Sequence, residues 1–357
     1  MKIVLICLAL FCIISSLIPF LASKKWWVRG FDFPHLQISV LNVFVIILFL
    51  FYTDFNTIFD ITLLALLLAT LVYQFVIIYP YTFLAKKQII NTTIRNSHAS
   101  IRVFSANVLQ DNKDFDRFLN IFRKANPDIA ILLEINHWWQ DKLTVLKEEY
   151  PHTVEYPLDN YYGIILLSKL KLKDMEIKFL VNDGVPSIHG RIQLKNNTWV
   201  KLYCLHPMPP SPSENEKSLD RDAELLIVAK EIKKENYPVI VLGDLNDVAW
   251  SHTTRMFQRM SQLLDPRIGR GFYNTFHASY PLFRWPLDHL FVSDDFKLAE
   301  LKRLENIGSD HFPMFAEICH SCNTEENTNP DEASEEDKTE AKDTIKEGLE
   351  ENGKSPD

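Results

Sequence analysis

Carboxylates, amides and histidines recur just beyond the ends of apolar, strand-like runs in the middle of the chain. Glu134 ends the run that begins at Asp128, and Asp244 and Asn246 follow the run that begins at Val239. The other residues in this position are Asn107, His206, Asp288, Asp310 and His311. Any one of them could be a turn or cap residue, because Asp and Asn occupy such positions routinely. A whole set in the same position relative to strands indicates a site, because open α/β sheets bind ligands beyond their strand ends.

The acidic residues suit the metal and the water of phosphoester hydrolysis. Glu134 and Asp310 offer the carboxylate oxygens that a hard divalent cation such as Mg²⁺ prefers, with Mn²⁺ as an alternative. Asp244 and Asn246 lie two residues apart, and they suit a base that deprotonates a water and an amide that aligns it. These residue types predict in-line attack of an activated water on a phosphoester.

The remaining polar residues suit the charge that develops on the phosphoryl oxygens in such a reaction. Asn107, His206 and His311 are neutral or cationic donors that would surround this charge. Asp288 would hold His311 in one tautomer and favour its protonated form. We expect these four residues to complete the site.

The order and wording of these motifs resemble the endonuclease/exonuclease/phosphatase superfamily, a set of divalent-metal phosphodiesterases and phosphatases. The matching stretches span about residues 100–318. They are Ser105-Ala-Asn107, Leu133-Glu134, Cys204-Leu-His206-Pro207, Gly243-Asp244-Leu-Asn246-Asp247, Leu287-Asp288-His289 and Ser309-Asp310-His311-Phe-Pro313. The resemblance implies a metal-dependent phosphoric ester hydrolase of the α/β class, built as a four-layer α/β/β/α sandwich.

The resemblance also implies a role for each matching residue. Glu134 would be the main metal ligand, with Asp310 near the same ion. Asp244 would activate the water. The other implied catalytic residues are Asn246, which would position the water and the phosphate, His311, which would stabilise the phosphoryl charge, Asp288, which would support His311, and Asn107 and His206, which would contact the phosphate or the water shell of the metal.

One departure from the family pattern bears on the substrate. Members that repair DNA carry an Asp two residues after the Asn of the first motif, whereas this chain has Leu109 there and Asp111 further on. This difference weakens a DNA-repair function and a second metal site. The pair His206-Pro207 resembles the branch that contains sphingomyelinases and phosphoinositide phosphatases. A nucleic acid and a phospholipid head group therefore both stay open as substrates.

The elements that must position these residues follow from the apolar pattern. Phe115, Phe118 and Phe122 recur at intervals of three and four, as in an amphipathic helix, and a second such pattern precedes Val239. Adjacent strands and strand–helix alternation both occur, which favours a mixed α/β layered fold. The expected strands are 101–105, 129–133, 164–168, 188–194, 199–205, 239–242, 287–292 and 312–318.

Three apolar runs precede this region, at about 1–21, 36–52 and 61–79. Each is close to the roughly 20 residues that a helix needs to cross a bilayer. The first run could be a cleaved signal peptide, but Ala22-Ser23-Lys24 is a poor cleavage site and two further runs follow at once. Residues 1–85 are therefore predicted to form a membrane domain of three transmembrane helices in contact with the lipid bilayer.

The basic residues of the connecting loops predict the orientation of this membrane domain. Lys24, Lys25 and Arg29 follow the first run, whereas the only charged residues in the loop after the second run are the acidic Asp54 and Asp60. Because Lys and Arg are retained on the cytoplasmic side, the catalytic domain is expected in the cytoplasm. The resemblance to bacterial membrane-anchored members implies an integral protein of the bacterial inner (plasma) membrane.

The rest of the chain divides by composition. Residues 86–99 are polar and are expected to be a linker, 100–320 the catalytic domain, and 321–357 a disordered acidic tail. From residue 323 onward there are 13 acidic and four basic residues, a net charge of −9, which leaves +1 for the remainder of a chain whose total is −8. The catalytic region is thus close to neutral, so it lacks the strongly basic charge typical of nucleic-acid binding.

The cysteines are too few for a disulfide-built scaffold. Cys319 and Cys322 form a single C-x-x-C pattern, and free thiols are expected because no second pair or zinc-spaced histidine accompanies it. Two classes of function remain. The first is a membrane-anchored phosphoester hydrolase. The alternative is a non-catalytic membrane scaffold that uses the same fold as a binding module. The sequence indicates no particular protein partner.

Overall fold

Two mixed β-sheets form the centre of the domain that follows the N-terminal apolar helices. The structure is a computed structural model that describes residues 2–21, 23–95, 97–321 and 326–355. The strands are β1 (Ser100–Asn107), β2 (Ile129–Leu133), β3 (His152–Tyr156), β4 (Ile164–Ser168), β5 (Leu172–Lys178), β6 (Ser187–Gln193), β7 (Trp199–Leu205), β8 (Val239–Asp244), β9 (Asp288–Val292), β10 (Phe296–Arg303) and β11 (Met314–His320). One sheet has six strands in the order β10-β11-β1-β2-β4-β3, and the other has five in the order β5-β6-β7-β8-β9.

Helices cover the outer faces of both sheets. Between the sheets lies one apolar core, to which Ile131 contributes from the first sheet and Leu242 from the second. The helices are α1 (Lys2–Leu17), α2 (Trp26–Arg29), α3 (His35–Tyr52), α4 (Ile58–Ile78), α5 (Phe115–Ala125), α6 (His137–Leu143), α7 (Leu219–Ile232), α8 (His252–Ser261) and α9 (Glu335–Glu351), with 3-10 turns at Ile18–Phe20, Gly30–Asp32, Tyr79–Tyr81 and Thr144–Leu146. Helices α5 and α6 pack on the six-stranded sheet, and α7 and α8 pack on the other. The predicted α/β/β/α sandwich is therefore confirmed.

All eight expected strands are present, with ends that differ by up to two residues from the expectation. Three further strands were not expected from the sequence: β3, β5 and β10. β3 and β5 each lie at an edge of a sheet, as does β10. Edge strands expose one side to solvent and carry charged residues, which hides the apolar alternation by which a strand is recognised.

The N-terminal segment forms three helices that are long and apolar enough to cross a membrane. They extend over Lys2–Phe20, His35–Tyr52 and Ile58–Tyr81. Polar groups inside this bundle are paired between helices: the amide nitrogen of Asn42 donates to the Thr70 hydroxyl over 3.1 Å. Small polar side chains of this kind hold helices together in an apolar surrounding.

The bundle packs against the α/β domain at one end. The indole nitrogen of Trp250 donates to the Asp32 carbonyl over 2.7 Å, and the Tyr81 hydroxyl donates to the Ala249 carbonyl over 2.7 Å. Apolar contacts surround these two bonds and include Ile78, from the end of α4. The connection between the bundle and the domain is thus a packed junction.

The segment expected to be a polar linker, residues 86–99, packs along the edge of the six-stranded sheet. The Thr92 amide donates to the Leu298 carbonyl and the Leu298 amide donates to the Ile90 carbonyl, both over 2.9 Å. Ile89 is fully buried in the core between the sheets. This part of the chain therefore completes the domain edge as well as joining it to the bundle.

A helix lies where composition predicts a disordered tail. Helix α9 begins at a capping box between Ser334 and Asp337. Ala341, Ile345 and Leu349 recur at intervals of four and are buried against α7 and α8. These few apolar residues lie on one face of the helix, so a helix with a low average hydrophobicity can still dock. The disorder prediction is therefore wrong for the helical residues.

The free-thiol prediction is wrong for Cys319, which is disulfide-bonded. The chain turns directly after β11, where Ser321 adopts a positive φ of 50°. Such a turn can bring residues close in sequence to within disulfide distance. The prediction for Cys322 lies outside the described residues.

Candidate active site

The residues that the sequence predicts to be catalytic come together at one end of the strands, where the two facing sheets meet. Asn107 and Asp244 are the last residues of their strands, and Asp288 is the first residue of β9, directly opposite Asp244 in the ladder. Glu134 and His206 each follow a strand by one residue. Asp310 and His311 lie in the turn before β11. This placement brings carboxylates from both sheets into one site.

The close approach of β7 and β8 at these strand ends depends on Gly243. A Cβ atom at this position would lie 1.9 Å from the Leu205 carbonyl oxygen, and the residue has a φ of +145°. Only glycine adopts this conformation without strain. Gly243 therefore sets the position of Asp244, the next residue.

Asn107 links the two sheets by hydrogen bonds to two carboxylates. Its amide nitrogen donates to Glu134 Oε1 over 2.7 Å and to Asp244 Oδ2 over 3.3 Å. The backbone N–H of Gln110 donates to the other Glu134 oxygen over 3.2 Å. Burial raises the pKa of Glu134 to about 7, although these two hydrogen bonds oppose the rise, and the charge of Asp310 adds to it. A site that brings a cation to Glu134 would restore its charged form.

His311 lies between two carboxylates. Its Nδ1 is 2.8 Å from Asp288 Oδ2, and its Nε2 is 3.4 Å from Asp244 Oδ2. Burial alone would lower the pKa of His311, but the charges of Asp244 and Asp288 outweigh that effect and raise the pKa to about 10. Burial also raises the pKa of Asp244. At neutral pH His311 is therefore an imidazolium that lies between the side chains of Asp244 and Asp288.

Asn246 and His206 complete the arrangement from the second sheet. Asn246 has a positive φ of 51°; its N–H donates to Asp244 Oδ1 and its side-chain nitrogen to the Pro207 carbonyl, both over 3.0 Å. The ring of His206 contacts the ring of Tyr162, with 5.3 Å between centroids. Burial lowers the pKa of His206 to about 4, so the ring is neutral at pH 7.

Comparison with known proteins accounts for this combination of fold and site. The model of the Endonuclease/Exonuclease/phosphatase family matches residues 101–311, more than half of the chain. The chain belongs to this family. The family resemblance drawn from the motifs is thereby confirmed. Members of the family are typically phosphodiesterases, phosphatases or nucleases, and they are generally metal-dependent.

Solved structures of family members share the fold at low sequence identity. The human Nocturnin catalytic domain with bound sulfate has a TM-score of 0.51 and 17% identity, and the match covers 68% of this chain and 99% of that one. D. rerio TDP2 complexed with a single-strand DNA product has a TM-score of 0.52 and 18% identity, with 62% and 99% covered. No curated protein matches the chain significantly in sequence. These likenesses show the fold of the α/β domain.

The carboxylates of the site suit the divalent cation that family members use. Asp244, Asp288 and His311 offer potential ligand atoms that all lie within 4.8 Å of one another. A protonated imidazole cannot coordinate a metal, so the ion pair of His311 argues against a cation among these three. Glu134 is partly buried, and the charge of Asp310 further disfavours its ionised form. The donor set of Glu134 and Asp310 therefore fits a hard cation better.

A buried ionic network behind the site was not recognised from the sequence as part of it. Arg267 pairs with Asp265 over 2.7 Å and with His289 Nδ1 over 2.7 Å, and His289 Nε2 donates to the Asp247 carbonyl over 2.9 Å. Arg221 lies 3.3 Å from the Asp247 carboxylate. Asp247 and His289 do lie within the family motifs, next to Asn246 and Asp288. Their position within the motifs could have identified Asp247 and His289 from the sequence. Arg221 and Arg267 lie outside the motifs, so the sequence contains no comparable indication for them.

Proposed function

We propose that the protein is a membrane-anchored, divalent-metal-dependent phosphodiesterase or phosphatase that hydrolyses a phosphoester by in-line attack of an activated water. The observation that carries the proposal is the contact of His311 with Asp244 and Asp288, next to the pair of Asn107 and Glu134. A base, a cationic donor and a carboxylate that can hold a metal are the three parts that this reaction needs.

Asp244 is the proposed base for the water. Burial raises its pKa, which makes the carboxylate a better proton acceptor than an exposed Asp. Its Oδ1 is fixed by the N–H of Asn246, and its Oδ2 faces Asn107 and His311. Asn246, held by this bond and by the Pro207 carbonyl, would position the water and the phosphate.

His311 is the proposed donor to the phosphoryl oxygens. Asp288 holds its Nδ1 and favours the protonated ring, so Nε2 can donate to the negative charge that develops in the transition state. Neutral His206 and the Asn107 amide would contact the phosphate from the other side. These interactions need no movement of charged side chains during the reaction.

Glu134 and Asp310 are the residues that would hold the cation, which we propose to be Mg²⁺, with Mn²⁺ as an alternative. When bound, such an ion stabilises charge on the phosphoryl oxygens as a Lewis acid. The remaining chemistry falls to the residues described above.

The proposed location is the bacterial inner membrane, with the three apolar helices spanning it and the catalytic domain in the cytoplasm. Lys24, Lys25 and Arg29 lie at the end of the bundle that contacts the domain, which supports this orientation. The disulfide at Cys319 favours an oxidising compartment instead. A reporter enzyme fused after residue 357 decides between them, because activity only outside the cytoplasm would reverse the orientation.

The proposed substrate is a phosphoester in a nucleic acid or a phospholipid head group. One related structure, D. rerio TDP2, contains a single-strand DNA product, which supports the first class by analogy. Leu109, where DNA-repair members carry Asp, and the near-neutral charge outside the tail argue against it.

Full-length protein in detergent tests the proposal with a panel of soluble phosphodiesters and phosphomonoesters, oligonucleotides and phospholipids in the presence of Mg²⁺. We expect hydrolysis that is lost on chelation and reduced at least about 10²-fold by Asp244→Ala. The matched control is Asp294→Ala, which removes an exposed carboxylate outside the site. If the Asp244→Ala protein cleaves as fast as the wild type, the proposed chemistry is wrong, and absence of any hydrolysis would favour the non-catalytic scaffold.

A further inference from the structure

A loop of exposed apolar residues lies beside the candidate active site. Tyr280, Leu282 and Phe283 are 59%, 78% and 58% exposed. The loop closes where the Phe276 amide donates to the Trp285 carbonyl over 3.0 Å. Exposed large apolar side chains that are grouped together mark a binding surface rather than ordinary solvent-exposed surface.

This loop lies level with the first turn of a membrane helix. The side-chain nitrogen of Gln37, in α3, donates to the Leu282 carbonyl over 3.0 Å. The ring of Trp285 contacts Phe33, just before α3, with 5.7 Å between centroids. Helix α3 has 18 residues. At 1.5 Å per residue it is about 27 Å long, no longer than the roughly 30 Å hydrocarbon core, so its first turn must lie at the hydrocarbon boundary.

The same loop contacts the catalytic residues at its other end. The ring of Phe276 lies 4.9 Å from that of His311, and the Ala278 amide donates to the Asp310 carbonyl over 2.7 Å. Ala278 and Leu282 are four residues apart, so at most about 14 Å of chain separates the site from the hydrocarbon boundary. The head-group layer on each side of a bilayer is about 5–8 Å thick. The phosphate of a lipid in this leaflet is therefore within reach of the site.

A second connection holds the site at this depth. Asp244 ends β8, and the chain continues directly to Ala249 and Trp250, which bond to the domain-side ends of the membrane helices through Tyr81 and Asp32. Two of the segments that carry the site thus contact the bundle. The strand ends that carry the proposed catalytic residues are therefore on the side of the domain that faces the membrane.

We infer that the site takes its phosphoester from the head group of a phospholipid in the adjacent leaflet, and that the 279–284 loop inserts into that leaflet. A lipid surface fits the loop because aromatic and aliphatic side chains favour the membrane interface. A nucleic acid would instead be attracted by a basic rim. The three exposed side chains at the rim are uncharged, and the one cation of the loop, Arg284, is half-buried and donates to the His277 and Ala278 carbonyls over 3.2 and 2.6 Å.

The test uses the full-length protein in vesicles of phosphatidylcholine, phosphatidylethanolamine, phosphatidylglycerol, phosphatidylinositol and sphingomyelin. The first measurement is phosphorus or head group released into the aqueous phase, and the second is hydrolysis of soluble bis(p-nitrophenyl) phosphate by the same vesicles. The variant Leu282→Glu/Phe283→Glu places two charges in the loop. The matched control, Val145→Glu/Tyr237→Glu, changes two exposed apolar residues outside it.

We expect the loop variant to release lipid head groups about tenfold more slowly, because two charges oppose insertion, and to hydrolyse the soluble ester at the wild-type rate. The control should match the wild type on both. Because the inference rests on the proposed function, the two fail differently. If neither substrate is cleaved faster than by Asp244→Ala, the proposed function is wrong. If the soluble ester or an oligonucleotide is cleaved but the vesicle lipids are not, or if the loop variant slows both substrates equally or neither, the inference is overturned.

Insertion is also measured without catalysis. A photo-crosslinking amino acid placed at position 282 should label lipid acyl chains in the vesicles, and the same amino acid at position 237 should not. Tyr237 precedes β8, at the opposite end of the strand from Asp244. Equal labelling at the two positions, or none at position 282, would contradict insertion of the loop.

Discussion

The charge balance of the site favours a bound cation. Glu134, Asp244, Asp288 and Asp310 are four carboxylates, and His311 is the one imidazolium that we find among the described groups of the site. A phosphoester brings further negative charge, so its binding without a metal would be opposed by repulsion. The raised pKa of Glu134 has burial as its main cause, and the charge of Asp310 adds to it. His311 and a divalent cation would thus each neutralise part of the negative charge of the phosphoester.

Asp288 should act through His311 rather than on the substrate directly. Asp288→Asn removes the charge that favours protonation while keeping a group of the same shape, so we expect hydrolysis of the soluble phosphodiester to fall about 10²-fold, mainly in kcat. Asp294→Asn, on the exposed turn after β9, should leave the rate unchanged. An unchanged rate for Asp288→Asn would show that His311 does not need this partner.

The sequence predicts which residues form the site better than how each one points. The strand ends identify Asn107, Glu134 and Asp244, because residues just beyond strands of a sheet share an edge. The side chain of Asn246 bonds to the Pro207 carbonyl, which depends on a positive φ of 51° that an Asn adopts only in certain turns. Such backbone choices depend on long-range packing, so the pattern of residue types does not contain them.

At the scale of elements, buried strands are predictable and exposed ones are not. β2 and β4 are fully buried and match the expected bounds, because continuous apolar runs of five residues stand out. β5 reads Leu-Lys-Asp-Met-Glu-Ile-Lys, and none of its residues is fully buried at the sheet edge. Backbone hydrogen bonds with β6 hold this strand in the sheet, although its apolar pattern is weak. Helix α9 was missed for a similar reason, since its docking face has only a few apolar residues.

Docking of α9 should weaken in acid as its ion pairs are lost, and the pair with the shortest contacts to α8 is that of Asp337 with Arg259. Two Asp337 oxygens accept hydrogen bonds from Arg259, in α8, over 2.6 and 2.9 Å. These bonds lower the pKa of Asp337 from 3.8 to about 2. A carboxylate whose pKa is lowered on docking stabilises the docked state fully above pH 3.8, and the contribution is lost as the pH falls towards 2.

Hydrogen exchange of residues 335–351 measures this effect as a function of pH. We expect protection, corrected for intrinsic exchange rates, to be constant from neutral pH to about pH 4 and to fall between about pH 4 and 2. In the Asp337→Asn variant the protection should be lower at neutral pH and the step should be smaller, because Glu340, whose pKa is lowered by His252, still contributes. A step of the same size in both proteins would mean that another group governs docking.

For the whole molecule, the bundle of three apolar helices packs against the α/β domain. The sequence identifies the three apolar helices from their length and composition alone. It does not predict the junction, because Trp250 and Tyr81 are 169 residues apart and only the folded chain brings their neighbourhoods together. The sequence likewise does not predict that residues 86–99, which are mostly polar, pack on the domain through the buried side chain of Ile89.

Ile89 tests whether these residues are a tether or part of the domain. Its side chain is fully buried between the sheets, whereas Ile94 is 42% exposed five residues later. In the full-length protein, Ile89→Ala should lower the unfolding free energy of the catalytic domain by about 2–4 kcal/mol, through lost burial and the cavity that remains. Ile94→Ala should cost less than about 0.5 kcal/mol. Denaturant unfolding followed by tryptophan fluorescence measures both. Equal stability of the two variants would mean that the segment only tethers the domain, whereas the expected difference would make it part of the structure that holds the active site at the membrane.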